Sequence, residues 1–248
     1  MPFAIGFRMT SRHASPMIER AMARAGSPIP RRRPQLPDEV ASHVREQIMT
    51  GSLREGDYLR LEYIADELGI SVTPVREALL ALRGDGFVEL EPRQGFTVRP
   101  LSRRDLSDVY WVQATLAGEL ASRVATTVTS EELDELDAVQ HDLEAAAQRG
   151  DTATVEALDS RFHHDLSREA ASDKLTWFLG IAVRYAPQHL TTVAGWPEAS
   201  ASDHTAILRA LHDRDAEAAR TAMSAHITHV GELLIEQLER QGFWDERV

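Results

Sequence analysis

The sequence predicts a mainly α-helical protein: three short helices closed by a two-stranded turn, then an all-helical antiparallel bundle. Three observations predict it. Apolar residues recur at helical spacing through most of residues 37–241. Strand-like runs occur only over 87–90 and 96–99, joined by Pro92, Arg93, Gln94 and Gly95. After Pro100, capping residues and Gly or Pro breaks mark off six further helices with short connections.

The elements follow in order. Residues 1–36 lack a sustained period and carry Arg31, Arg32 and Arg33 before Pro34, which reads as a disordered basic arm, either a solvated tail or an accessory nucleic-acid contact. A helix over 37–51 has Asp38 and Glu39 in its first turn, Val40, Val44 and Ile48 on one face, and Gly51 at its end. A short helix over 62–68 turns Ile64, Ala65 and Leu68 inward and stops at Gly69. A third helix runs from Thr73, a capping residue followed by Pro74, to Arg83, and buries Val75, Leu79 and Leu82. The two strands close this unit at residue 100. Beyond it, helices are expected over 102–127, 130–148, 152–170, 173–185, 202–213 and 215–241, followed by a tail over 242–248. Ser102 with Asp105 and Thr129 with Glu132 are capping-box starts. Gly195, Trp196 and Pro197 read as a break.

Three helices and a two-stranded wing make the order of a winged helix-turn-helix, whose second turn helix enters the DNA major groove by its N-terminus. Candidate contacts to a double-stranded operator are Arg60, then Thr73, Arg76 and Glu77 off the apolar stripe, and Arg93, Gln94 and Gly95 at the wing tip. Net charge of −12 argues against such a partner only until it is divided. Residues 1–36 hold seven Arg against one Glu, a net of +6. Residues 37–100 hold seven Arg against twelve acids, a net of −5, and the remainder carries −13. Binding needs locally placed cations rather than a basic total. The absence of cysteine excludes disulfides and thiolate metal sites and fits a cytoplasmic protein. No signal peptide or membrane span is expected, because no apolar run is long enough.

The bundle holds polar residues where the pattern asks for apolar ones. On the 152–170 helix, Asp159 and His163 lie on the stripe of Val155, Leu158, Phe162 and Leu166. His204 heads the stripe of Ile207, Leu208 and Leu211, and His226 sits between Met223 and Ile227. Burying these groups is costly unless they are paired or bind a metal. One carboxylate and three imidazoles suit a divalent ion, Zn²⁺ first, with Ni²⁺ or Mn²⁺ as alternatives. They equally suit a hydrogen-bonded cluster around an organic ligand. The other histidines lack converging partners, and Trp111, Trp177 and Trp196 are read as core.

Two stretches carry a resemblance. Gly56-Asp57-Tyr58-Leu59, Leu68 through Leu79 and Gly86-Phe87-Val88 resemble the GntR family of transcription regulators. Relatives commonly have an Arg before the Thr-Pro pair that reads a base; Val72 stands there in this chain. Asp159-Ser160-Arg161-Phe162-His163, and His204 through Asp215 and Met223 to His226, resemble the FCD effector domain of the FadR-type subfamily. That resemblance implies a metal held by Asp159, His163, His204 and His226. It also implies a homodimeric repressor released by a small-molecule effector, a carboxylate among the candidates. Relatives place an Arg on the first bundle helix where this chain has Gln113, so an acidic effector would rely on the metal and Arg184. The expectation is a regulator and not an enzyme. The rivals are a sensor whose signal is the ion itself, a metal-dependent hydrolase, and a winged scaffold for protein contacts.

Overall fold

The structure, a computed structural model, describes residues 36–92, 95–187, 190 and 193–245. Most of the expected basic arm, Arg93 and Gln94 at the wing tip, His189 and residues 246–248 lie outside the described residues.

The N-terminal unit comprises α1 (Leu36–Met49), β1 (Tyr58–Leu59), α2 (Leu61–Leu68), α3 (Val72–Gly84), β2 (Val88–Glu91) and β3 (Gly95–Val98). Helix α1 buries Val40, Val44 and Ile48, and α3 buries Val75, Leu79 and Leu82, as their spacing requires. Two details correct the expectation. The N-cap of α3 is Ser71 in extended conformation, and Thr73 lies inside the first turn. The wing also gains a third strand: β3 is central, pairing antiparallel with β2 (Leu90 opposite Phe96) and with β1 (Leu59 opposite Phe96). Two residues are too short for a strand to register as alternation, which is why β1 is silent in the pattern.

The bundle comprises α4 (Arg103–Thr127), α5 (Ser130–Gln148), α6 (Thr152–Glu169), α7 (Asp173–Ala182), which tightens to a 3₁₀ turn over Val183–Tyr185, α8 (Trp196–His212) and α9 (Ala216–Arg240). Both capping boxes form: Ser102 and Asp105, like Thr129 and Glu132, exchange side-chain and backbone hydrogen bonds. Helix α8 starts six residues before the expected 202, because Gly195 turns the chain at φ +84° and Pro197 sits in the first turn, where its missing N–H costs nothing. Helices α4 and α9 approach closely. A Cβ on Gly231 would meet the Tyr110 ring at 2.5 Å, so glycine there lets Tyr110 lie flat between the two helices.

One apolar cluster runs from the winged unit into the near end of the bundle, joining Val44, Leu79, Phe87 and Phe96 to Leu106, Tyr110, Trp196 and Leu234. A second fills the far end around Leu120, Val124, Phe162, Ile207 and Leu211. The expected tail folds back over its described residues: Trp244 donates from Nε1 to the Leu101 carbonyl at 2.8 Å, and Arg54 donates to the Gly242 carbonyl at 2.8 Å. Trp196 is buried as expected, but Trp111 and Trp177 are 69% and 59% exposed and are not core.

Candidate functional site

Three helices of the bundle bring the four stripe-breaking residues together. Asp159 and His163, one turn apart on α6, meet His204 from α8 and His226 from α9, with one ligand-type atom from each all within 4.8 Å of one another. His163 Nε2 is 3.2 Å from His226 Nε2. Asp159 Oδ1 is 3.5 Å from His204 Nε2 and 3.9 Å from His163 Nε2. Donors bonded to one divalent ion at about 2.0–2.2 Å stand roughly 3–3.6 Å from their neighbours, so the 3.2 and 3.5 Å separations fit a shared ion and the wider ones, up to 4.8 Å, must close around it. Phe162 stacks on His204 with ring centroids 4.1 Å apart and supplies the apolar side of the cluster.

Contacts behind the imidazoles fix which nitrogens face inward. Gln140 on α5 donates from Nε2 to Glu144 Oε1 and to the Ala201 carbonyl, which orients its Oε1 toward His204 Nδ1 at 3.0 Å. His204 therefore carries its proton on Nδ1, and its buried Nε2 is left as an unpartnered lone pair. Asp203 accepts from His226 Nδ1 at 3.3 Å and His229 Nδ1 at 2.9 Å, so His226 also turns a bare Nε2 inward. Those hydrogen bonds, led by that of His226, hold the Asp203 carboxyl down at about 2. Ser200 donates to Asp159 Oδ1. Burial, only partly offset by Asp159, pushes His163 down to about 4, and burial likewise drives His204 well below the usual imidazole range. Neutral imidazoles converging beside a carboxylate form an electron-rich pocket, which is the donor set a divalent cation needs.

A cavity of about 580 Å³ adjoins the cluster. Asp159, His163 and His226 line it, as do Gln113 and Arg184. Gln113 is 3% exposed and ties α4 to the end of α7 by donating to the Ala182 carbonyl at 3.0 Å. Arg184 turns its guanidinium to Asp85 of the winged unit, at 3.0 and 3.1 Å from the two carboxylate oxygens.

On the winged unit, Thr73, Arg76 and Glu77 are exposed along the first turns of α3, and Arg60 is exposed at the N-cap of α2. Arg76 makes no ion pair among the described residues. Val72 is half-buried against the winged core. Gly95 has φ +102°, and a Cβ there would meet Tyr58 Oη at 2.7 Å, so the fold itself demands this glycine.

Residues 36–98 match the family model described as bacterial regulatory proteins, gntR family, and residues 108–229 match the FCD domain. The chain is 31% identical over 195 residues to a protein described as the probable D-xylose utilization operon transcriptional repressor of Paenarthrobacter nicotinovorans, covering 76% of this chain and 85% of that protein. The chain belongs to the GntR family. A second GntR-type relative, the HTH-type transcriptional regulator McbR of Escherichia coli K12, is 31% identical over 117 residues, which span 47% of this chain and 53% of McbR. The solved structure of E. coli McbR/YncC superposes with a TM-score of 0.62 at 25% identity, covering 82% of this chain and 98% of that one. These families and relatives are transcription regulators, not enzymes.

For a GntR protein of this kind, the single-helix stripes expose the four inward-facing polar residues but not their supports. Gln140, Ser200 and Asp203 sit on other faces or other helices, and no spacing rule links Gln140 to His204 across 64 residues. Among the described residues, no helix is long and apolar enough to cross a membrane.

Proposed function

We propose that this GntR-family regulator is a homodimeric, effector-controlled repressor in which a divalent metal, zinc first among the candidates, is held by Asp159, His163, His204 and His226 beside the effector cavity. The carrying observation is the convergence of the unpartnered His204 Nε2 with the Asp159 carboxylate and the imidazoles of His163 and His226. A bound ion would supply a Lewis-acid contact for a ligand oxygen. One carboxylate and three neutral imidazoles leave a divalent ion with net positive charge, which favours an anionic group such as a carboxylate. The chain's own residues do the rest: Gln140 and Asp203 orient the imidazoles. Gln113 and Arg184 are the remaining effector contacts in this reading.

The adjoining cavity favours an organic effector over the ion alone as signal, because an ion sensor has no use for about 580 Å³ of space. Trp111 on α4 and Trp177 and Phe178 on α7 are large exposed apolar residues, which suits a two-fold contact with a second copy. Arg76, with Arg60, Thr73, Glu77 and the wing residues Arg93, Gln94 and Gly95, forms the operator-reading set. The repressor sense follows the description of the Paenarthrobacter relative. The test is native mass spectrometry of purified protein. Two chains carrying about one divalent ion each are expected. Metal-free protein that takes up neither zinc nor nickel would remove the metal from this function.

A further inference from the structure

Helix α9 ends on the winged unit. Its last turn closes at Gly242 in the left-handed region, φ +64°, where the Gly242 N–H donates to the Glu239 carbonyl and the Phe243 N–H to the Leu238 carbonyl. That pair of bonds reverses the chain and leaves the Gln241 and Gly242 carbonyls beyond the helical ladder, open to donors from elsewhere. Arg54, from the loop between α1 and β1, meets both: its guanidinium donates to Gly242 at 2.8 Å and to Gln241 at 3.2 Å. A cation there also faces the negative end of the helix dipole. Phe243 packs on Gly51 of the same loop, where a Cβ would lie 2.9 Å from its ring. Trp244 donates to the Leu101 carbonyl at 2.8 Å, and the Arg103 guanidinium lies 5.7 Å from the centre of its ring. Leu101 stands in the short link, Arg99-Pro100-Leu101, that joins β3 to the Ser102 cap of α4. The segment therefore grips the winged unit, the link and the start of the bundle together.

The same helix carries one of the four cluster residues. His226, Val230, Leu234 and Leu238 recur every four residues along α9 and are all buried. From His226 to Arg240 the helix is unbroken, 14 residues or about 21 Å. A close-packed buried face of this length transmits displacement rather than absorbing it. Whatever fixes His226 thus limits the excursions of Arg240 and of the segment beyond it.

We infer that residues 241–244 are a coupling strap: an ion on His226 steadies α9, and α9 holds the strap on Arg54 and Gly51, so that occupancy of the cluster sets how firmly the winged unit is docked. The inference rests on the proposed metal site. The two-state element is the strap itself, docked or released, and both sites bias it. No change of shape is needed, since an ion that reduces the freedom of α9 lowers the cost of ordering the strap.

The experiment is amide hydrogen exchange on the full chain, chelated and zinc-loaded, with zinc affinity read by competitive chelator titration. In the wild type, zinc is expected to slow exchange about five-fold in peptides covering residues 51–57, the lower end of coupling between linked sites. Arg54→Gln and Phe243→Ala are each expected to speed exchange there and to remove its response to zinc. By reciprocity both variants should bind zinc about five-fold more weakly, although neither residue belongs to the cluster. A segment that merely packs would exchange faster in the variants, yet keep its zinc response and leave zinc affinity unchanged. That result, or zinc binding that leaves residues 51–57 unchanged in the wild type, would overturn the inference. Protein that takes up no zinc removes the metal site and the strap's role with it, whereas bound zinc with an unresponsive loop sinks the strap alone.

Discussion

The winged unit and the bundle handle polar residues in opposite ways. In the winged unit the apolar stripes are unbroken, and the groups that would meet DNA, Arg60, Thr73, Arg76 and Glu77, stand in solvent where the fold does not need them. In the bundle the polar groups sit inside the stripes: His204 is fully buried, His226 is 2% exposed and Asp159 6%. A site on the surface can be altered at little cost to folding. A site in the core is part of the packing, and its stability depends on the hydrogen bonds and the ion that satisfy it.

That contrast can be broken or sharpened by experiment. The largest effect is expected from removing the metal. If the protein holds an ion at a thousand times its dissociation constant, chelation lowers unfolding free energy by about 4 kcal/mol. Thermal melts with and without chelator check this; an unchanged melting temperature would mean that the core cluster is satisfied without an ion. Next comes Arg76→Ala, expected to abolish specific operator recognition, a loss of about 1–3 kcal/mol in binding per base contact, with stability changed by less than about 0.5 kcal/mol. Anisotropy titration and urea melts on the same sample would reveal whether surface and core are as separable as they look. Gln140→Leu, which removes the group orienting His204, is expected to weaken metal affinity about 10- to 100-fold while leaving operator contacts alone. A competitive chelator titration reads it.

The smallest effect lies at the seam between the halves. Asp105 caps α4, and its hydrogen bonds to the Ser102 side chain and backbone hold its carboxyl below the ordinary carboxylate range. A carboxyl lowered on folding contributes stability above its unfolded value, and that contribution is lost as pH falls through the folded value. Asp105→Asn, which keeps an acceptor but loses the charge at an exposed site, should therefore cost about 0.5 kcal/mol at neutral pH, and the difference from wild type should close as pH falls from about 4 through the lowered folded value. A gap that persists in acid would show that the charge is not what the cap uses.

How much could be read from the chain differs between particular residues. The stripe on α6 exposes Asp159 and His163 because a helix repeats every 3.6 residues and both fall on its buried face. The same reasoning misplaces the start of α8, since Gly-Trp-Pro signals a break as readily as the first turn of a helix. It also misreads Trp111 and Trp177, because a large apolar residue carries no mark that says whether another chain or its own core covers it. Val72 is legible both ways: its departure from the family pattern is plain in the sequence, and its half-buried position against the winged core accounts for an apolar residue there.

By itself, the sequence determined the order of the two units, the family, the helix faces and the four residues that break the bundle's stripes. Periodicity and capping suffice for the helix faces and the stripe-breaking residues, because each is a property of a single helix or turn, whereas the family rests on the resemblance of the quoted motifs. Only the tertiary structure decided that Asp159, His163, His204 and His226 share one point and that Gln140 and Asp203 aim the imidazoles. These depend on which helices cross and how closely, and Gly231 shows the reason: one missing methyl sets how near α9 comes to α4, and no local pattern encodes that distance.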